Sequence, residues 1–213
     1  QNFKDIRVID DSENEFIAFT DMENKVMYVN LGTTFMDFAD IIKHIEGLVL
    51  HENGHLDKRL GVPATIKNAK AITEKIESRK KGYSHDLLNI IEDMEIHHQY
   101  NNRGLIKPSQ KRKLQEFLTE IRNKTFEAGH KDDIILSMAY PQTDVQKKIN
   151  KIISNRSISI VKKYFLIEKL LEDNNMMKDV KEQVIGHEHP SHDKKDGKGD
   201  KDTKDDQKGK GKG

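Results

Sequence analysis

The sequence predicts an α+β fold, and three features predict it. Short runs rich in β-branched and apolar residues alternate with a polar turn over residues 5–31, and apolar positions recur at helical spacing from Phe38 to His55. From Pro108 onward every apolar stripe has a helical period. A small antiparallel sheet packed on the first helix, followed by a mainly helical lower part, accommodates all three.

The strands are expected at Asp5 to Asp10, Glu15 to Thr20 and Val26 to Leu31, with Asp21-Met22-Glu23-Asn24 as the polar turn between the last two. Val26, Tyr28 and Asn30 alternate with Met27, Val29 and Leu31, which suits a strand buried mainly on one face and able to serve as a sheet edge. Thr33 or Thr34 can cap the helix that follows, whose apolar side carries Phe38, Ile41, Ile42, Ile45, Leu48 and Val49. Gly61-Val62-Pro63 breaks the chain. A more polar helix then carries Ile66, Ala69, Ile72 and Ile76 and ends at Gly82.

Ser84 caps a further helix through Leu87, Leu88, Ile90, Ile91, Met94 and Ile96, which closes at Asn101-Asn102-Arg103-Gly104. The lower part has one stripe on Leu114, Phe117, Leu118 and Ile121 and another on Val145, Ile149, Ile152 and Ile153, the latter opened by Thr143 and Gln146 as a capping box. A last apolar helix runs from Ile160 to Leu171, and another is expected around Met176 to Ile185. Residues 187–213 hold no aliphatic side chain and no Phe, Tyr or Trp, so they cannot offset the entropy of ordering and read as a disordered tail or linker. The organisation is thus a region over 1–108, a helical subdomain over 109–186 and the tail.

Composition narrows the function. With 213 residues, 34% charged and 34% hydrophobic, the chain suffices for one domain and an annex. A net charge of +1 gives no field to draw it onto nucleic acid or an acidic membrane, and no apolar run approaches the roughly 20 residues of a membrane helix. A cytoplasmic protein with neither nucleic-acid nor membrane partner is the expectation. The absence of cysteine excludes disulfides, thiolate metal sites and cysteine nucleophiles, so any metal must sit on His and carboxylates.

His51-Glu52-Asn53-Gly54-His55 carries the chemistry. Residues four apart on a helix project to nearly the same side, so two imidazoles can bind one ion while the Glu between them lies near its open position. Zinc held by three protein ligands leaves a place for a water whose pKa falls toward about 7, and Glu52 is placed to take its proton during attack on a carbonyl. The third ligand is expected from Asn89-Ile90-Ile91-Glu92-Asp93-Met94-Glu95. At about 100° per residue, Leu87, Leu88, Ile91 and Met94 define a buried face with Glu92 at its border, Glu95 on its flank and Asp93 on the far side. Glu92 is therefore the expected ligand, Asp93 the alternative if the helix is distorted, and Glu95 a partner orienting a ligating His.

The H-E-x-x-H helix after a strand pair, with a Glu on a downstream helix, resembles the gluzincin branch of the zincin metallopeptidases. More narrowly, Asn89-x-x-Glu92-Asp93 after His51-Glu52-x-Gly54-His55 resembles metallopeptidase-like regions of cobaltochelatase-type and phage-encoded proteins, which occur ahead of a von Willebrand factor A domain. The resemblance spans roughly residues 15–100. It implies a zincin-like fold, bound zinc, a protein or peptide substrate, and a further domain beyond the tail. It also implies a His or Tyr steadying an oxyanion, for which His97, His98 and Tyr100 are candidates, with Tyr83 and His85 behind them. The rivals are a metal-holding scaffold or interaction module that catalyses nothing. His44, nearly two turns before His51, lies too far away to share its ion.

Overall fold

A computed structural model describes residues 2–13, 16–80, 84–127 and 141–177 of the chain. The expected tail and all but the first two residues of the helix expected around Met176 to Ile185 lie outside those residues, as does Tyr83. The fold is α+β: three strands, β1 (Asp5–Ile9), β2 (Ala18–Asp21) and β3 (Val26–Asn30), and six helices among the described residues. The helices are α1 (Phe38–Gly54), α2 (Ile66–Glu77), α3 (His85–Asn102), α4 (Pro108–Glu127), α5 (Asp144–Ser154) and α6 (Ile160–Asp173). None of them is long and apolar enough to cross a membrane.

The sheet is mixed, not antiparallel as expected. Its order is β1-β3-β2, with β2 antiparallel to β3 and β1 parallel to it, Asp5 lying opposite Val26. The polar turn forms the β2–β3 hairpin, where Asp21 Oδ1 accepts from the backbone N–H of Glu23 and Asn24. The connection from β1 to β2 must instead pass the end of β3, and Asn30 organises it. This buried amide donates to the carbonyls of Asp11 and Phe16 at 2.8 and 3.1 Å and accepts from the N–H of Asp11 and Gly32 at 2.9 and 3.0 Å. Four backbone groups are thereby satisfied by one side chain, which fixes a path that no turn motif announces. A second consequence is that Val26–Asn30 is the central strand. It is paired on both sides and cannot be the edge along which a ligand chain would pair.

Helix α1 starts three to four residues later than a cap at Thr34 or Thr33 would place it. Its N-cap is Asp37, while the Oγ1 of buried Thr33 accepts from the Phe35 N–H at 3.3 Å in the preceding loop. Elsewhere the expected caps hold: Ser84 opens α3, and Thr143 with Gln146 forms the capping box of α5. Helix α1 packs on β2, α3 and α4. Two glycines let it come close. A Cβ at Gly47 would lie 2.5 Å from the Lys113 carbonyl oxygen, and one at Gly54 would run into the Ile96 side chain. The hydrophobic core is continuous across residue 108: Ile41 and Leu48 of α1, Met94 of α3 and Phe117 of α4 belong to the same buried cluster as Ile149 and Tyr164.

On its other side α3 meets α5 and α6. There Lys163, 2% exposed, donates to Glu95 Oε2 at 2.5 Å and to the Ile153 carbonyl at 2.7 Å, while Gln99 Nε2 donates to Glu95 Oε1 at 2.6 Å. Removing one partner of such a pair leaves an uncompensated buried charge. Lys163→Met is expected to destabilise the protein by about 3–5 kcal/mol, and Lys163→Met with Glu95→Leu by much less, as read from urea unfolding.

Candidate metal centre

The site forms where the C-terminal end of α1 meets the middle of α3. His51 and Glu52 lie in the last turns of α1. His55 is its C-cap, still in the right-handed helical region at φ −61° and ψ −21°, so its imidazole points to the same side as that of His51. From α3 comes Asp93. Its Oδ1 stands 3.1 Å from His55 Nε2 and 3.5 Å from His51 Nε2. All three side chains are buried, and their donor atoms lie within 4.8 Å of one another.

Chemistry and dimensions both fit a divalent metal. Two imidazole nitrogens and a carboxylate oxygen are a common zinc donor set, and metal–ligand distances of about 2.0–2.1 Å in a tetrahedron put donor atoms about 3.3 Å apart. The observed 3.1 and 3.5 Å bracket that edge. Glu52 lies beside the cluster, with Oε1 3.9 Å from His51 Nε2. Thr20 of β2 holds the other oxygen: its hydroxyl lies 2.8 Å from Glu52 Oε2 and 3.1 Å from the Glu52 carbonyl. Glu52 Oε1, though buried, accepts no hydrogen bond from a described residue, which leaves it able to receive a proton from a ligand.

His51, Glu52 and His55 thus come together as the sequence predicts. Asp93, expected on the far side of α3, occupies the position expected for Glu92. The reason is that α3 is buried almost all round, between α1 on one side and α5 and α6 on the other, so its apolar stripe does not mark the direction of the site. Glu92 is buried nearby without joining the donor cluster. Glu95 faces Lys163 and not the histidines of the cluster; beside His51 lies His97, whose Nε2 is 2.7 Å from His51 Nδ1. Asn89 is half-buried on α3 and outside the cluster.

Two further oxyanion candidates, His98 and Tyr100, are engaged elsewhere. His98 Nδ1 lies 3.1 Å from Asn102 Nδ2, and burial pushes its imidazole pKa down. Tyr100 donates to Asp57 Oδ2 at 3.3 Å, and burial raises its hydroxyl to about 12. Asp57 is itself paired with Arg59 at 2.6 Å. His44 is buried against α4, 3.7 Å from Glu120 Oε2, away from the cluster as expected.

Compared with protein-family models, curated proteins and solved structures, the chain matches none. The zincin resemblance therefore rests on its two motifs, and the chemistry on the geometry above.

Electrostatics give the metal-free site a defined pH response. Burial raises Glu52 from 4.5 to about 7, against the lowering effects of His55 and the Thr20 hydrogen bond, and burial raises Glu92 from 4.5 to about 8. Burial alone would lower His55, but the hydrogen bond and charge of Asp93, with Glu52 and Glu92 adding, raise it from 6.5 to about 9. All three groups bind protons more tightly folded than unfolded. Their stabilising contributions are complete at low pH and are lost as pH rises, over 4.5 to about 7 for Glu52, 4.5 to about 8 for Glu92 and 6.5 to about 9 for His55. In chelator, these groups are therefore expected to make the protein less stable at pH 9 than at pH 6. A metal ion held at this cluster would compete with the His55 proton, and zinc added as the probe should then stabilise more at pH 9. Thermal midpoints at both pH values, with and without zinc, check the sign.

Proposed function

We propose that this protein is a zinc-dependent peptide hydrolase in which His51, His55 and Asp93 hold the metal and Glu52 is the general base. The observation that carries the reading is Glu52 beside the His-His-Asp donor cluster, one carboxylate oxygen fixed by Thr20 and the other accepting no hydrogen bond from a described residue. When bound there, zinc lowers the pKa of a water toward about 7 and polarises a substrate carbonyl.

The chain's own residues supply the rest. Glu52 Oε1 accepts the proton of the attacking water and passes it to the leaving amine. The Thr20 hydroxyl keeps Oε2 turned away and limits the rise that burial imposes on the Glu52 pKa. Asp93 brings a negative charge to the two imidazoles, which suits a dication.

One observation favours a second reading. His51, Glu52, His55 and Asp93 are each at most 1% exposed, as in closed structural metal sites, so the metal could simply clamp α1 to α3. One experiment separates the two. Protein purified without a His tag should hold one zinc per chain and cleave an unfolded protein, with hydrolysis abolished by chelator and restored by zinc. Zinc without cleavage would select the clamp, and no zinc would remove both.

A further inference from the structure

We infer that His97 sets the tautomer of His51, and so is the positioning residue that turns the His51 Nε2 lone pair toward the metal. The inference rests on the metal site proposed above. A neutral imidazole has one N–H and one lone pair, so His51 can offer Nε2 to a cation only with its proton on Nδ1. That Nδ1 is 2.7 Å from His97 Nε2, a full hydrogen bond between two buried rings. His97 must then accept through Nε2 and carry its own proton on Nδ1.

The opposite arrangement would put the His51 proton on Nε2, facing Asp93 Oδ1. At 3.5 Å that contact is long for a hydrogen bond, and the same oxygen is already 3.1 Å from His55 Nε2. The geometry thus favours one of the two proton arrangements. The fold supports it from both sides. His97 follows Asp93 by four residues on α3, so one stripe of one helix supplies both the carboxylate donor and the partner of a histidine donor. The Phe117 ring of α4 stands 6.3 Å from the His51 ring and confines it further.

An imidazole in this role also has a reason. Ligating histidines usually give their second N–H to a carboxylate or a carbonyl. Three carboxylates, Glu52, Glu92 and Asp93, are already buried here, and a fourth would add one more group whose charged form burial penalises. An imidazole nitrogen, His97 Nε2, can accept the hydrogen bond without bringing a carboxylate into the site.

The test uses the full chain labelled with 15N at histidine and kept metal-free. Long-range 1H–15N spectra, with His51 assigned by the signals lost in His51→Asn, should show His51 protonated at Nδ1. Zinc affinity, measured by competition with a chromophoric chelator, should fall about 10–100-fold in His97→Leu. His97→Gln, whose side-chain carbonyl can accept from Nδ1–H, should recover most of it. His51 protonated at Nε2 in the wild type would overturn the inference, as would equal loss of zinc in the Leu and Gln variants. Should His97→Leu fail to fold, the wild-type spectrum and the Gln affinity decide. If the wild type binds no zinc, the metal reading fails by itself, while the spectrum still decides whether His97 sets the His51 tautomer.

Discussion

Glu52→Gln is expected to keep its zinc and to lose hydrolysis by at least about 10²-fold, the lower end of what a positioned proton-transfer group contributes. Glutamine keeps the length of the side chain, and its carbonyl can still accept from the Thr20 hydroxyl, so the packing between β2 and α1 should persist. What disappears is the basic oxygen at Oε1. Since Glu52 lies outside the His51, His55 and Asp93 cluster, zinc content should stay at the wild-type value. Zinc content and hydrolysis must be measured on the same preparation. Equal cleavage by Glu52→Gln would refute the general-base role. A wild type that holds zinc yet leaves a broad peptide library intact would point to the closed clamp.

The parts of this site carried by one helix were legible in the sequence, and the parts that depend on how helices meet were not. His51, Glu52 and His55 obey a local spacing rule, so α1 alone brings them together. Asp93 illustrates the limit. The helical wheel of α3 puts it opposite Leu87, Leu88, Ile91 and Met94, a sound argument for a helix with one buried side. Here Asp93, His97 and Tyr100 face α1 and its C-terminal loop, while Glu95 meets Lys163 of α6 and accepts from Gln99. The density of polar residues between Glu92 and Gln99 is compatible with such two-sided burial, but it does not say which carboxylate faces which neighbour.

The sheet shows the same division. The hairpin was readable because Asp21 and the residues after it have turn chemistry of their own. The parallel placement of β1 was not, because it depends on Asn30 reaching across to Asp11 and Phe16, contacts without a sequence signature. Thr20 was missed for a related reason. Alternation along β2 places it on the same face as Ala18, yet only the packing of β2 on α1 brings its hydroxyl to Glu52. For His97 there was a usable signal, its spacing of four from Asp93, but that spacing acquires meaning only once Asp93 is recognised as a donor.

Asp93 also provides the sharpest test of the centre's composition. Asp93→Ala leaves the histidines as the two protein donors of the cluster, and it is expected to weaken zinc binding beyond the about 100-fold that losing a mere orienting partner can cost. Glu92→Gln, which neutralises a buried carboxylate outside the cluster, should stay within that range. A second readout needs no metal. The hydrogen bond and charge of Asp93 hold His55 at about 9 against a burial that would lower it, so in metal-free Asp93→Ala the His55 pKa should drop clearly below that value. Histidine ring signals followed by NMR between pH 5 and 10 would report it. Both readouts must move for Asp93 to be the third donor. If zinc affinity instead collapses in Glu92→Gln and survives in Asp93→Ala, the ligand set is His51, His55 and Glu92, and the contact between α1 and α3 must rearrange when the metal binds.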